Sequence, residues 1–550
     1  MLSLTTILAL PTFHGMKLTE NANLVTGIGR RRAEAFQALG NKVIIAGRRE
    51  KVLDQTTSNS AGNFTSNSVE NDSRATRLAS LLAYGEVLNG SRPGKKPEGK
   101  SWSFRLQEIP MKGFFGLLVI LFLGGFTPTL GESGTDAEAK VPVKVAVPEQ
   151  WRTSPFDRER VLMVPVGATI SVLARARGAR FLAVSPNGDI LVSQPSRGKI
   201  LLIRQSRPSE AGVYELISGL RLPHGMVFHR IGDALYLYIS ESNKISRFLY
   251  SNAPLQRKNA EIVVPNLPDR SSPNLGGAYG HELKNITIGP DQKLYVDIAS
   301  ATNADPADTR SDPLRCAIYR YDLDGGSREL VARGIRNAEG LAFVPGTNEL
   351  WAVVNERDNI RYPFRNGWNG DRTSDYGRLM QSYVDEHPPD EFIHVMAGAN
   401  YGWPFANPNP DKGLDHMPFD PDYETNPGWS RVPERSFTRI DKGIPAHSAP
   451  LGFSFLQATK VPLPYLNGAV IALHGSWNRS LKTGYKVIFF PWLPNSKPGP
   501  QVDMVTGWLN DETQQVWGRP VDVIPDLDGN LLISDDESGT IYKLSFGSSR

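Results

Sequence analysis

From about residue 150 onward the chain alternates apolar and polar positions in short runs, and the runs come in pairs. The segments "SPNGDILVSQPSRGKILLI" (185–203), "HRIGDALYLYISESNKISRFLY" (229–250) and "IGPDQKLYVDIAS" with "CAIYRYD" (288–322) show it first. "FVPGTNELWAVVN" (343–355), "NGAVIALHGSW" with "GYKVIFF" (467–490) and "PDLDGNLLISDDESGTIYKLSF" (525–546) repeat it. Alternation of period two marks a strand with one buried face, and the Pro, Asp, Asn and Gly residues between runs mark tight turns. Six such units at a spacing of roughly 45–60 residues predict an all-β fold, a six-bladed β-propeller in which each unit supplies the inner strands of one blade. A two-sheet sandwich would not repeat so evenly. Residues 356–450, rich in Pro, Asn and Asp, exceed that spacing and read as a long insertion between blades four and five, over one face.

The chain upstream has a different texture and reads as a partly disordered extension. Residues 23–50, "NLVTGIGRRRAEAFQALGNKVIIAGRRE", run strand, glycine turn, amphipathic helix, strand, and resemble the start of a short-chain dehydrogenase. The phosphate loop is shortened to Thr26-Gly27-Ile28-Gly29, too short to wrap a pyrophosphate. A lone βα unit cannot bury its own faces, so residues 1–50 read as a truncated remnant of that family. Residues 51–110 are polar and aperiodic, a disordered linker by composition. In "MKGFFGLLVILFLGGF" (111–126) Lys112 precedes an apolar run shorter than the ~20 residues that span a bilayer. With Ala137 and Ala139 downstream, residues 111–140 read as a signal peptide-like segment and linker, which predicts a start at Met111 and a secreted, extracellular propeller. In a chain made from Met1, residues 113–126 would instead form a membrane anchor with the propeller outside.

Composition changes this picture little. The 51 Gly and 41 Pro suit a turn-rich fold, and the 10 Trp and 17 Tyr provide anchors for a large core. A net charge of +4 without a long basic run gives no reason to expect nucleic acid as a partner. Cys316 is the single cysteine, which excludes an intramolecular disulfide, a cysteine zinc cluster and a CxxCH haem attachment. Within "CAIYRYD" it follows strand spacing and reads as a small buried residue.

Propeller chemistry sits where loops converge at the axis. His281 lies on such a loop, in "NLGGAYGHELKN" ahead of blade three, and by position alone it reads as a structural loop histidine. Its segment "GHELKNITIGPDQKLYVDIAS" (280–300), followed in order by "GIRNAEGLAF" (334–343) and "GANYGWP" (398–404), resembles the soluble quinoprotein glucose/sorbosone dehydrogenase family. The likeness covers about residues 155–548 and in overall pattern is closer to the sorbosone dehydrogenase branch.

The resemblance implies a quinoprotein propeller over residues 150–550 that binds pyrroloquinoline quinone (PQQ) and calcium (Ca2+). It implies an oxidoreductase acting on an aldose or sugar aldehyde. With no haem motif in the chain, the electrons would pass to an external acceptor, a quinone or a cytochrome. His281 would be the general base removing a hydroxyl proton while a hydride passes to the quinone, a task that suits an imidazole with an ordinary pKa near 6.5. Arg336 and Asn337 match the family's Arg-Asn pair beside the quinone carbonyls, where a guanidinium would stabilise developing negative charge. Arg519, in "WGRPVDV", matches a carboxylate-binding arginine, while a second family arginine falls at Val521. A family lysine falls in "LHGSWNR", making Arg479 or Lys482 its substitute, and His224 lies close to a cofactor-contacting glutamine.

The family's calcium-binding stretch falls in "NERD", where Glu356 and Asp358 are the candidate ligands. The family aspartate near the substrate falls at Ser300, with Asp297 one alternation away. Asp415, Asp420, Asp422 and Glu424 in the insertion lack EF-hand spacing and read as a solvated loop. His447 and His474 receive no role. The sequons at Asn285 and Asn478 lie beside proposed site residues and are expected to be unmodified. Two other readings stay open, a propeller that binds a ligand or partner without catalysis and a calcium-dependent lactonase built on Asn355, Glu356 and Asp358.

Overall fold

Six antiparallel sheets follow one another along the chain in the computed structural model, each made of neighbouring segments. The structure describes residues 139–205, 212–251, 253–370, 373–457, 459–494 and 497–547, together with the backbone of three short upstream strands. Those strands, Ala22–Thr26, Lys42–Ala46 and Thr65–Ser66, form a separate parallel sheet in the upstream unit. The two strands expected in residues 23–50 are therefore present, and Thr65–Ser66 adds a strand within the segment expected to be a disordered linker, whereas the Gly27-Ile28-Gly29 turn, the rest of that linker and the apolar segment 111–126 lie outside the described residues.

Blade one comprises Leu182–Val184, Ile190–Gln194, Lys199–Arg204 and Gly212–Ser218. Blade two comprises Met226–Ile231, Ala234–Glu241, Lys244–Leu249 and Glu261–Val264. Blade three comprises Ile286–Ile288, Lys293–Ile298, Ala317–Asp322 and Glu329–Arg333. Blade five comprises Pro450–Phe455, Gly468–Leu473, Lys486–Pro491 and Val502–Val505. Blade six combines Pro520–Pro525, Leu531–Asp535 and Thr540–Phe546 with an outer strand from the start of the domain, Ala168–Arg175. That last antiparallel pairing ties the two ends of the propeller together and closes the ring.

Blade four corrects one expectation. Its strands are Ala338–Phe343, Leu350–Val354, Asp390–His394 and Ile440–Ile444, with Asp415–Met417 added at the edge. The long segment after residue 355 therefore contains the blade's own third and fourth strands, and the extra chain leaves from within blade four. The expected solvated loop is also packed. Phe419–Pro421 pairs with Ala406–Pro408, Asp420 and Asp422 are buried, and Arg357 forms ion pairs with Asp422 and Glu424. Asp415 pairs with Lys442 at 2.6 Å.

Large apolar side chains fill the spaces between blades, with Trp351, Phe392, Phe453 and Phe490 between four and five and Trp508, Phe489 and Tyr542 between five and six. Around the axis the inner strands approach too closely for side chains. A Cβ on Gly452 would lie 2.0 Å from Asp522 Oδ1, and one on Gly340 would lie 2.5 Å from the Leu451 carbonyl. Polar groups stitch these seams. Asp522 accepts the Leu182 amide at 2.9 Å, and Asn355 donates to the Pro450 carbonyl at 2.6 Å.

In every blade the first strand begins opposite the end of the second, as in the pairs Met226 with Ile239, Ala338 with Val354 and Pro520 with Asp535. The loop entering a blade and the loop leaving its second strand therefore share one face. All the candidate site residues occupy these loops or the strand ends they join.

Candidate active site

His281 enters this face on the loop before blade three, and Ser300 follows the second strand of the same blade. The His281 Nδ1 lies 3.0 Å from the Ser300 carbonyl oxygen and 2.8 Å from Ser300 Oγ. A carbonyl can only accept, so Nδ1 carries the proton and Nε2 keeps its lone pair. Burial, reinforced by the charge of Arg336, lowers the imidazole pKa to about 4. His281 is therefore a neutral acceptor throughout the physiological range, and it lines a cavity of about 370 Å³.

Residues from several blades complete that cavity. Arg180 and Ser196 come from blade one, Tyr279 and Glu282 from the His281 loop, Glu339 from blade four and Asp536 from blade six. Across the axis runs a chain of charges that the sequence reading did not contain. His224 Nε2 donates to Glu339 at 3.2 Å, Arg180 lies 3.9 Å from Glu339 and 3.1 Å from Asp536, and His474 Nε2 donates to Asp536 at 2.8 Å. Burial alone would raise the Glu339 carboxyl, but hydrogen bonds from His224 and Asn337 and the charge of Arg180 hold it down to about 2. Asp536 is likewise held well below its ordinary value, against burial, by His474 and Arg180. Burial pushes His224 below 6.5, so it is a neutral donor at neutral pH. Two buried atoms of these five side chains, Arg180 Nε and His224 Nδ1, have no hydrogen-bond partner among the described residues.

The other sequence candidates divide. Arg336 is buried beside the base, with its guanidinium on the Asn303 carbonyl (3.3 Å), Asn303 Oδ1 (3.0 Å), the Asn355 carbonyl (3.1 Å) and Asp358 (3.4 Å). Asn337 donates to Glu339 at 3.2 Å. Arg519 donates to the carbonyls of His474 and Gly475 at 3.0 and 3.1 Å and lies over the Tyr485 ring, which places it next to the His474 end of the charge chain.

Arg479 and Lys482 lie away from that group. Arg479 holds the Asp385 carbonyl and pairs with Glu386 at 2.8 Å, and Lys482 donates to the Gln514 carbonyl at 2.6 Å on the exposed side of its loop. Neither lines the cavity. Of the sequence candidates only His281 lines it, and the cations that do are Arg270 and Arg180, the latter one of several arginines in "LARARGAR" that only convergence of the blades singles out.

For calcium, Asp358 is already engaged by Arg336 at 3.4 Å and by His447 at 3.6 Å, and these partners hold its carboxyl low against burial. Glu356 is buried with its carboxylate on the Arg357 amide at 3.2 Å, and burial raises its pKa. Among the described residues no group of three or more His, Cys, Asp or Glu is arranged to hold a metal ion. Of the two candidates, Asp358 is thus already paired with cations, whereas Glu356 has no ion pair among the described residues. The sequon residues Asn285 and Asn478 are both buried, and so is Cys316.

The chain matches the TrAA12-like family over residues 165–546. It belongs to that family. Among similar proteins, an uncharacterized protein of Borreliella burgdorferi is 27% identical over 70% of this chain and 91% of its own length. A pyrroloquinoline quinone-dependent pyranose dehydrogenase of Coprinopsis cinerea is 33% identical over 66% of this chain, which spans 51% of that enzyme. The calcium structure of Trichoderma reesei Carbohydrate-Active Enzymes Family AA12 superposes with a TM-score of 0.56 at 19% identity, covering 70% of this chain and 97% of that one. The holo form of the pyranose dehydrogenase PQQ domain from Coprinopsis cinerea gives 0.55 at 18% identity with the same coverages. At these identities the structural likeness establishes the six-bladed fold.

Proposed function

We propose that this TrAA12-like protein is a PQQ-dependent sugar dehydrogenase that oxidises an aldose or sugar aldehyde and passes the electrons to an external acceptor. The observation that carries the reading is His281, a neutral imidazole whose tautomer is fixed by Ser300 and whose acceptor nitrogen has no protein partner among the described residues, in a cavity shared with Arg180. The relative's PQQ dependence supports the cofactor. The cavity fits such a group: Arg180 lines it with His281, the Arg180 Nε has no hydrogen-bond partner among the described residues, and a guanidinium suits a group bearing several carboxylates.

When bound, PQQ would supply a two-electron acceptor for the hydride leaving the sugar carbon. The protein's own tasks are then definable. Arg180, with Arg519 near the other end of the charge chain, would hold carboxylates. Arg336 and Asn337 would face the part of the cofactor that gains negative charge, Arg336 already being fixed by Asn303 and Asn355. His281 Nε2 would take the hydroxyl proton. A weak base is sufficient for that step because the hydroxyl acidifies as the hydride departs. Anionic groups brought into the cavity would also raise its pKa.

Of the two candidate ligands Glu356 would favour a calcium ion, since a bound cation would stabilise the ionised carboxylate that burial disfavours. Secretion through residues 111–140 belongs to the same proposal. The test is titration of the full chain with PQQ, followed by tryptophan fluorescence, and dye reduction over a panel of aldoses and ketoaldoses with and without calcium. Saturable binding with PQQ-dependent turnover supports the proposal. A folded chain that neither binds PQQ nor reduces dye refutes it and favours the non-catalytic propeller.

A further inference from the structure

Directly beneath the His281 loop lies a lysine with no contact with solvent. Lys284 is 0% exposed, its ammonium donates to the Glu282 carbonyl at 2.8 Å, and it lies 4.9 Å from the centroid of the Tyr279 ring. Asp297, buried on the second strand of blade three, accepts the Asn285 amide at 2.6 Å, so the two side chains hold the backbone of the loop at Glu282 and at Asn285. Asp297, Glu282, Asp269 and Glu339 are the charges acting on the ammonium. Burial lowers Lys284 and raises Asp297, and each partly offsets the shift of the other. Burying two ionisable groups is costly, and apolar residues of similar volume would stabilise a core at least as well. Two such groups kept at such a place therefore invite a role in geometry.

The contacts show which geometry. The ammonium grips the carbonyl of the residue following the base, and the ring under it belongs to the residue two before the base. Tyr279 in turn donates its hydroxyl to the Ala299 carbonyl at 2.6 Å, and the Gly280 amide donates to the Ala301 carbonyl at 2.7 Å. His281 itself bonds to Ser300, so three successive residues of the loop are latched to residues 299–301. Glycines 276 and 277, both at positive φ with open space around them, precede this latched stretch and impose little on it. At its other end, the Lys284 carbonyl accepts the Gly225 amide of blade two at 3.2 Å.

We propose that Lys284, with Asp297, is a positioning residue that fixes the His281 loop against residues 299–301 and so aims Nε2 of the base. The inference rests on the dehydrogenase reading for its effect on turnover, but the holding of the loop can be measured without it. Lys284 and Asp297 act through backbone geometry, because Arg336, Glu339 and Asp358 are the charges that act on the imidazole.

The test uses the full chain with two variants, Lys284→Met/Asp297→Asn, which removes both charges together, and Lys284→Arg, which keeps the charge but displaces the donor. Melting temperature, kcat, sugar KM and PQQ affinity are measured on the loaded enzyme. The rate of diethylpyrocarbonate labelling of His281 is read by peptide mass spectrometry on the cofactor-free protein. A positioning role predicts that both variants fold, that kcat falls about tenfold or more while KM and PQQ affinity stay within about threefold, and that His281 labels faster. A double variant with wild-type melting, kcat and labelling would overturn the proposal and leave the pair as core filling. Should the double variant fail to fold, Lys284→Arg decides alone, with wild-type kcat and labelling again overturning it. A folded wild-type chain without PQQ-dependent turnover would strike the dehydrogenase reading instead, and the labelling comparison would still decide whether the pair holds the loop.

Discussion

His281 has no carboxylate hydrogen-bonded to its Nδ1 among the described residues. Ser300 supplies a carbonyl and a hydroxyl to Nδ1, which fix the tautomer but offer no negative charge to stabilise an imidazolium. As the proposed base it would act when neutral, so activity would be present above its pKa and lost as pH falls through it. With the pKa lowered to about 4 in the cofactor-free site and moved up from there by bound carboxylates, the acid limb of kcat/KM should lie below 6.5. Ser300→Asp would place a carboxylate on Nδ1 and should raise that limb by about one unit or more, measured in kcat/KM profiles of the two proteins. An unchanged limb would show that a group other than His281 titrates there.

The cations offer a second residue-scale comparison. Arg180→Leu leaves Glu339 and Asp536 without their shared counter-ion and removes a donor from the cavity, so PQQ affinity should fall about tenfold or more. Arg479→Ala and Lys482→Ala, whose side chains hold loop carbonyls, should change it less than about twofold by fluorescence titration. The sequence could propose His281, Arg336 and Asn337 because each sits in a segment with distinctive neighbours. It could not single out Arg180 or Asp536, whose surroundings in the chain are ordinary and whose importance arises only where blades one, four and six meet.

At the scale of elements, the inner strands were legible because one face of each is buried against a neighbouring blade, and that burial writes a period of two into the chain. The outer strands are less so. Gly212–Ser218 and Glu261–Val264 are partly exposed and carry a weaker pattern. Blade four was misjudged for a related reason, since its third and fourth strands, Asp390–His394 and Ile440–Ile444, are separated by chain with turn-like composition. A buried arginine is one of the groups that tie the segment between them to the loop after the second strand of blade four. Arg357 holds Asp422, which is 1% exposed, and a change to Arg357→Met would leave that carboxylate uncompensated. The expected loss is about 3–5 kcal/mol in urea unfolding. A loss below about 1 kcal/mol would mean that the insertion is held by its apolar contacts, such as Phe419 on Phe437, instead.

For the whole molecule, the ring closed by Ala168–Arg175 on Thr540–Phe546 brings together groups that the chain keeps far apart. The chain of charges from His224 through Glu339, Arg180 and Asp536 to His474 draws on blades two, four, one, six and five, and His281 adds blade three. Blade count, and with it the existence of an axis, could be read from spacing. The set of side chains meeting at that axis could not, because it depends on the order and tilt of six sheets.

The central claim is that His281 removes the proton in a PQQ-dependent sugar oxidation. Its most direct measurement is single-turnover reduction of PQQ by an aldose in the full chain, comparing wild type with His281→Gln after titration has shown that both are saturated with cofactor. The account predicts reduction in the wild type and a rate lower by about two to four orders of magnitude in the variant, at similar PQQ affinity. Equal rates in two saturated proteins would contradict it.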